Sequence, residues 1–571
     1  MPGNSVIRTS TSPAPSWLDR LSEMPAPSPL ATTFLILASL LVLRLPNILD
    51  PHEWNQDESF MLGHGMRFLL DPVPWRSVDG ASIGPLNSHL LAAILWLGVK
   101  PSFMLLHFIA YLLVSLQTLT AYWTLLRLVS QRAAAWGALP MVLFFGLTGT
   151  PDYLHDSSEV LPALLAALGF YSFVRWATED GSASLLHRLL PLFLSGIAWG
   201  AAPWGKLQEG PISGVLGLLV VLAVCSKVRD RALQRVFQLA VFGLGAILPS
   251  AVLLTVIVRG GALKDFWTSY IVGNLAYVGG ETWTDTLIDC AKVLLSAGIG
   301  PLTCLVALAC VLFVYDSEMD PRQWLSGKNI FVYSGLALYF CAALFACARP
   351  VTFVPHYFVF LVYPMTCIAG ILGTRAFPVL KEIKQSRKNM PLAVTVPTVG
   401  IIAFYQVNAA LFLMLNAVTV YGLFRPRVDS NDMIYGEIRK LKAAYPVKSI
   451  GIWGWAPGVF VLTGIPPAVR DVCNQANVHS KGFLQAYYQH RFADDMRRAS
   501  PDLFIDAVAP GEILWNWTEN DAYESNPELK NYIDDKYVLV DEIALKPHAK
   551  PVRIFARRDA AAAQQQAAVR P

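Results

Sequence analysis

The sequence predicts an α-helical polytopic membrane protein of about eleven transmembrane helices, followed by a C-terminal soluble α/β domain. The chain of 571 residues is 54% hydrophobic and only 15% charged, with a mean hydropathy of +0.44, which is unusual for a soluble protein. Apolar runs near 20 residues recur between residues 30 and 423, each long enough to cross a hydrocarbon core of about 30 Å as a helix. After residue 424 the hydropathy falls, and short β-rich runs alternate with helical stretches, the pattern of a small α/β layer structure.

Residues 1–29 are polar and rich in Ser and Pro and read as a disordered cytoplasmic N-terminus. The run 30–49 ends in Arg44 and Pro46 without a small-residue cleavage site, so it reads as a retained span rather than a signal peptide. Arg44 is close enough to the helix end to snorkel. The further runs are 102–126, 133–150, 157–177, 189–205, 210–226, 236–258, 291–314, 329–348, 353–374 and 391–423. The segment 86–99 is short, starts polar and precedes Lys100–Pro101, and is expected to lie on the outer face as an interfacial helix. That placement leaves Arg127, Arg132, Arg175, Lys227, Arg235, Lys381 and Lys384 on the cytoplasmic side, as the excess of Lys and Arg in cytoplasmic loops requires; counting 86–99 as a span would reverse it. The loops 50–101, 151–156, 206–209, 259–290 and 349–352 then face outward, together with a periplasmic α/β domain over 424–558. Its strands are expected in 449–455, 502–508, 536–542 and 552–558, with a helix at 482–498 and a partly parallel sheet. The tail 559–571 is low-complexity and expected to be disordered.

The membrane domain is thus 30–423, and its chemistry-bearing residues are not spread evenly. The net charge of +4 gives no reason to expect a nucleic-acid partner, and neither a P-loop nor a dinucleotide-type glycine loop is present. The eight cysteines have no CxxC or Cys/His metal spacing and read as small apolar residues in packed helices. No repeat at a fixed period supports an inverted-repeat transporter.

The stretch DPHEWNQDESFMLGHGMRFLLDPVPWRSVDGASIGP (50–85) organises the rest. Asp57 and Glu58 lie a few residues beyond the first span, where two carboxylates are costly to desolvate unless water or a ligand uses them. Such a carboxylate suits proton abstraction from an incoming hydroxyl; a solvated acidic turn is the bland alternative. A second acidic turn, TPDYLHDSSEVLP (150–162), holds Asp152, His155, Asp156 and Glu159 at a span entrance. Helix N-capping accounts for one of these acids. The second acid and the histidine either orient an acceptor or, with the first loop, hold a divalent cation; the sequence requires no other cofactor. PWGKLQEGP (203–211) places Lys206, near Gln208 and Glu209, at a break between apolar runs, where an ammonium suits a phosphate oxygen or snorkels to the headgroups. ARPVTFVPHYFVFLVYP (348–364) places Arg349 and His356 at the start of a span, with Tyr357 and Tyr363. Arg can bind two phosphate oxygens through its planar fork, whereas the tyrosines fit an aromatic belt. Trp283, Trp453 and Trp455 either stack on sugar rings or serve as interfacial anchors, and Asn516–Trp517–Thr518 is a weak match to a glycosylation sequon.

With these residues in hand, the chain resembles the C-type (GT-C) polytopic glycosyltransferases that use polyprenyl-phosphate sugars, in the protein-mannosyltransferase and aminoarabinose-transferase-like branch. The resemblance rests on the Asp57–Glu58 pair, the interfacial segment His89 to Leu97, the turn Asp152 to Glu159, the Lys206 break and the Pro355 to Pro364 stretch. It implies Asp57 as the catalytic carboxylate, beside Glu58, with Asp156 as the second acidic site residue. It also implies Lys206, Arg349 and His356 toward the lipid phosphate, with Asp152, His155, Glu159, Gln208 and Tyr357 about the substrate. The implied partners are a polyprenyl-phosphate-linked sugar donor, a lipid, glycan or protein acceptor, and membrane lipids. The implied setting is the cell inner membrane, with the active site periplasmic. The C-terminal domain matches no acceptor module, so the acceptor stays open. The alternative reading is a lipid or sugar transporter or flippase, which would place ionisable groups near mid-span.

Overall fold

The computed structural model describes residues 26–179, 184–226, 231–278, 282–296, 298–314, 329–350, 354–385, 391–424, 430–444, 447–508, 519–545 and 550–559. Most of the expected N-terminal segment, the sequon at 516–518 and nearly all of the C-terminal tail lie outside these residues.

The first helix, α1 (Pro29–Ile48), begins where the Ser28 side chain accepts from the Ala31 amide at 3.2 Å and proline occupies its first position, the arrangement a helix start favours. The outer loop then holds two short helices, α2 (Gln56–Leu70) and α3 (Pro85–Trp96). At 12 residues, α3 is about 18 Å long and too short to cross a bilayer. The bundle continues with α4 (Phe103–Leu128), α5 (Gln131–Gly146), α6 (Val160–Thr178), α7 (Leu185–Ala201), α8 (Gly210–Cys225) and α9 (Ala232–Arg259). It ends with α10 (Trp283–Leu295), α11 (Gly300–Val314), α12 (Asn329–Ala348), α13 (Val359–Gln385) and α14 (Leu392–Phe424).

Nine helices among the described residues are long and apolar enough to span a membrane. Two of the eleven expected spans take other forms. The run 133–150 becomes α5, 16 residues long and about 24 Å, because Gly149 and Pro151 stop helix propagation. The run 291–314 divides into α10, ending at Leu295, and α11, starting at Gly300, which meet at 93°; Pro301 fits the first turn of the second helix. Inside the bundle α7 and α9 approach closely through small residues. A Cβ on Gly200 would lie 2.1 Å from the Ala246 carbonyl oxygen, and one on Gly245 would lie 2.4 Å from that of Phe193, so backbone contact replaces side-chain packing there.

The C-terminal region folds as the sequence pattern suggests. Strands β1 (Ile450–Gly454), β2 (Leu503–Ala507), β3 (Tyr537–Ile543) and β4 (Val552–Arg557) form one sheet in the order β1-β2-β4-β3. β1 and β2 pair in parallel and the other pairs are antiparallel. Every residue of β1 and β2 is buried, which is why these two read as continuous rather than alternating apolar runs. α15 (Phe483–Ala499) covers the sheet, and its Phe492 and Met496 join Trp453, Phe504 and Phe555 in a separate core. Trp453 is therefore a core residue, and Trp455 stacks on Phe60 of α2 at 5.7 Å between centroids; neither is a free sugar platform.

The C-terminal region clamps the first loop through buried ion pairs. Arg491 lies 2.6 Å from Asp79 of the loop and 2.6 Å from Asp471. Arg470 pairs with Asp495 at 2.6 Å and Asp265 at 2.9 Å, and donates to the Trp75 carbonyl at 2.8 Å. Removing one partner of such a pair strands the others without water. Arg491→Ala is expected to cost about 3–5 kcal/mol, measured as a lower melting temperature in detergent, and adding Asp79→Asn and Asp471→Asn to it is expected to recover part of the loss.

Candidate active site

Four chain segments meet on one side of the bundle. The acidic turn 150–159 is set by Arg44, which is buried and donates from Nη1 to the Tyr153 carbonyl at 3.0 Å and from Nη2 to the Leu154 carbonyl at 2.6 Å. The expectation that Arg44 snorkels is thus corrected: its fork satisfies carbonyls that no helix pairs, which outweighs reaching for water. From this turn Glu159, fully buried, meets Lys206 Nζ at 2.7 Å, and Lys206 also donates to Ser158 Oγ at 2.8 Å. Lys206 is 5% exposed, so it too turns inward, at the break between α7 and α8.

The first loop holds the Lys206 break in place. Ile83 pairs with Lys206 in an isolated antiparallel bridge, and the Gly84 amide donates to the Gly205 carbonyl at 2.8 Å. A Cβ on Gly84 would lie 2.0 Å from the Trp204 carbonyl oxygen, so only glycine fits. Asn87 Nδ2 then donates to both the Gly205 and Ser158 carbonyls, at 3.0 and 3.2 Å, joining the break to the acidic turn. The fourth segment is the 3-10 turn Pro355–Phe358 before α13. There His356 Nδ1 lies 3.0 Å from Asp152 Oδ1, and its Nε2 lies 3.8 Å from Glu159. The Tyr357 ring lies 5.6 Å from Lys206 Nζ.

Asp57 and Glu58 occupy the first turn of α2, where carboxylates are favoured by the exposed amides, but they have different surroundings. Asn55 caps the helix by accepting from the Asp57 amide at 3.0 Å, and its Nδ2 donates to Asp152 at 3.3 Å. Asp57 is half-buried, and among the described residues its carboxylate has no hydrogen-bond or ion-pair partner. Glu58 is fully buried against His107 of α4.

Burial and charge separate the acids of the turn. Burial, then the nearby Glu159 and Glu58 carboxylates, push Asp156 up to about 8, so it carries a proton at neutral pH. Burial would raise Glu159 as well, but Lys206 and then His356 hold it down to about 2. Burial keeps His155 neutral, down to about 4, although the Asp57 charge favours its protonation. A carboxyl with a raised native pKa binds its proton more tightly when folded, so its share of stability is lost as pH rises from the unfolded value through about 8. Stability is therefore expected to fall between pH 5 and 8 in wild type and to fall less in Asp156→Asn, measured by melting temperature across that range. Glu159 acts in the opposite sense, losing its contribution only as pH falls toward about 2.

Asp152, His155 and His356 each offer a ligand atom, and these atoms lie within 4.8 Å of one another. They could hold a divalent cation, and two imidazoles with one carboxylate suit Zn²⁺ or Mn²⁺ better than Mg²⁺. Among the described residues the ligand atom that clusters with Asp152 and His155 comes from His356 and not from the first loop. Two other candidates are engaged elsewhere: Gln208 donates to the Ala346 carbonyl, and Arg349 donates to Thr286 at 3.1 Å and lies 6.0 Å from the Trp283 ring centroid. Sequence reasoning missed Asn55, Asn87 and His107. Asn55 had a signal, since NQDE reads as a helix N-cap followed by acids; His107 had one as an ionisable residue in an apolar run; Asn87 had none.

No protein-family model and no curated protein sequence matches the chain. Its fold does have solved counterparts. The structure of ArnT, an aminoarabinose transferase, from Cupriavidus metallidurans bound to undecaprenyl phosphate is similar with a TM-score of 0.56 and 12% identity, covering 92% of this chain and 97% of that one. The apo form of that protein gives 0.55 with the same identity and coverage. This is the GT-C fold. AglB, an archaeal oligosaccharyltransferase from Archaeoglobus fulgidus in complex with an inhibitory peptide and a dolichol-phosphate, gives 0.51 at 12% identity, over 92% of this chain and 80% of that one. The GT-C likeness runs through nearly the whole length of the chain, so the small sheet and the helical bundle belong to one shared architecture.

Proposed function

We propose that the protein is a membrane glycosyltransferase that moves a sugar from a polyprenyl-phosphate carrier to an acceptor hydroxyl, with its active site and C-terminal domain on the periplasmic face of the inner membrane. The observation that carries this reading is the state of Asp57. Every other acid of the cluster is fully buried or paired, while Asp57 is half-buried with an unengaged carboxylate whose charge acts on the buried His155 and His356. A base must be fixed yet reachable. The GT-C neighbours, one bound to undecaprenyl phosphate and one to a dolichol-phosphate, support the donor class.

In the proposed step Asp57 takes the proton of the acceptor hydroxyl as that oxygen bonds to the anomeric carbon. The bond from that carbon to the carrier's phosphate oxygen breaks, and its electron pair leaves with the lipid phosphate. Lys206 and His356 stabilise the charge that develops on the departing oxygen, from positions already fixed by Glu159 and Asp152. Asp156 is the second acidic residue, held protonated beside Glu159. Attack opposite the departing phosphate inverts the anomeric centre.

The test is transfer of labelled sugar from a panel of polyprenyl-phosphate donors by the reconstituted protein, with the product's anomeric configuration read by NMR. Inversion is expected; retention would overturn the direct displacement. Carrier or sugar movement across the vesicle bilayer without transfer would favour the transporter.

A further inference from the structure

The geometry points to Glu58 as a positioning residue rather than a second base, and to His107 as the buried partner through which it aims Asp57; this rests on the proposed reading of Asp57 as the base. Glu58 and His107 both have fully buried side chains, and His107 Nε2 lies 3.2 and 3.3 Å from the two Glu58 oxygens. Neither reaches solvent or the space beside Asp57. A buried carboxyl or imidazole is costly unless paired, and here each is the other's partner, on segments 49 residues apart.

The helix converts that pair into an orientation. Successive residues of α2 lie about 100° apart around its axis, so with Glu58 directed into α4, Asp57 takes a different direction, near enough to His155 and His356 for its charge to act on both. The turn before the helix is closed on itself by the remaining contacts. The Trp54 amide donates to Glu58 Oε2 at 3.4 Å, the Ser59 amide and hydroxyl both donate to the Glu53 carboxylate, and Asn55 caps Asp57. The pair then fastens this closed turn to α4, as Asn55 fastens it to Asp152. Without His107, the turn keeps these contacts but loses the anchor that sets where the Asp57 carboxylate sits.

The purified full-length protein in vesicles tests this with a donor titration on Glu58→Gln, Glu58→Ala, His107→Ala, His107→Gln and the double Ala variant. Displacement of a base by about 1 Å costs on the order of 100-fold, so Glu58→Ala and His107→Ala are expected to lower kcat by about 10- to 100-fold while leaving the donor KM within about twofold. Glu58→Gln keeps the shape and a hydrogen bond to His107, and is expected to lose only about three- to fivefold. His107→Gln is expected to recover most of the His107→Ala loss. The double variant is expected to be no worse than Glu58→Ala alone, because both remove one interaction. The inference is overturned if well-folded Glu58→Gln is as inactive as Asp57→Asn, if the Ala variants leave kcat unchanged, or if their losses multiply. Activity in Asp57→Asn would instead sink the base reading itself.

Discussion

Asp57→Asn is expected to abolish most transfer, lowering kcat by about 10²–10⁴-fold, the usual contribution of a general base, with little change in donor affinity or melting temperature. The asparagine side chain has the same size and keeps the backbone cap from Asn55, which binds the amide of residue 57 rather than its side chain. No hydrogen bond or ion pair of the carboxylate is lost among the described residues, so a folding defect is not expected. Kinetics with a labelled polyprenyl-phosphate donor and equal amounts of folded protein decide the matter. Equal transfer by wild type and variant would remove Asp57 from the chemistry and direct attention to Asp156.

Lys206→Met is expected to fail in two separable ways. Lys206 meets Glu159 at 2.7 Å with both side chains almost fully buried, and removing one member of such a pair costs about 3–5 kcal/mol because the other is left charged and dry. The melting temperature should drop, and the carboxyl of Glu159 should no longer be held down to about 2. Adding Glu159→Gln removes the stranded charge, so the double variant is expected to regain most of the stability. It is not expected to regain transfer, because the ammonium that the proposed mechanism sets against the donor phosphate is still missing. A double variant with both stability and full activity would show that Lys206 is purely structural.

Much of the fold was legible from hydropathy and turn chemistry. The four strands of the C-terminal region lie within a residue of where the apolar runs place them, and α15 starts one residue after the expected 482. The two expected spans that changed form had visible breakers, Gly149 and Pro151 in one case and the Ser/Gly/Pro segment 296–301 in the other; a hydropathy average over 20 residues hides a break of two or three. The candidate site was legible as residue types that the charge pattern assigned to one membrane surface. Its partnerships were not: Arg44 read as snorkelling, and Lys206 as snorkelling or facing a phosphate oxygen, because a single span shows only the nearest water, not the carboxylate or carbonyls that another segment presents.

The sequence by itself determined what depends on neighbours along the chain: which stretches are apolar enough to enter a bilayer, where helices start and stop, and which turns carry acids, histidines and a lysine. Only the tertiary structure decided which of those groups stay free. His356 meets Asp152 across 204 residues, Lys206 meets Ser158 across 48, and His107 meets Glu58 across 49. Such pairs depend on how packed helices align their polar positions, and hydropathy does not encode that alignment. Desolvation makes each pairing compulsory once the helices have packed, and among the described residues it leaves Asp57, alone of the two adjacent carboxylates, half-buried and without a hydrogen-bond or ion-pair partner.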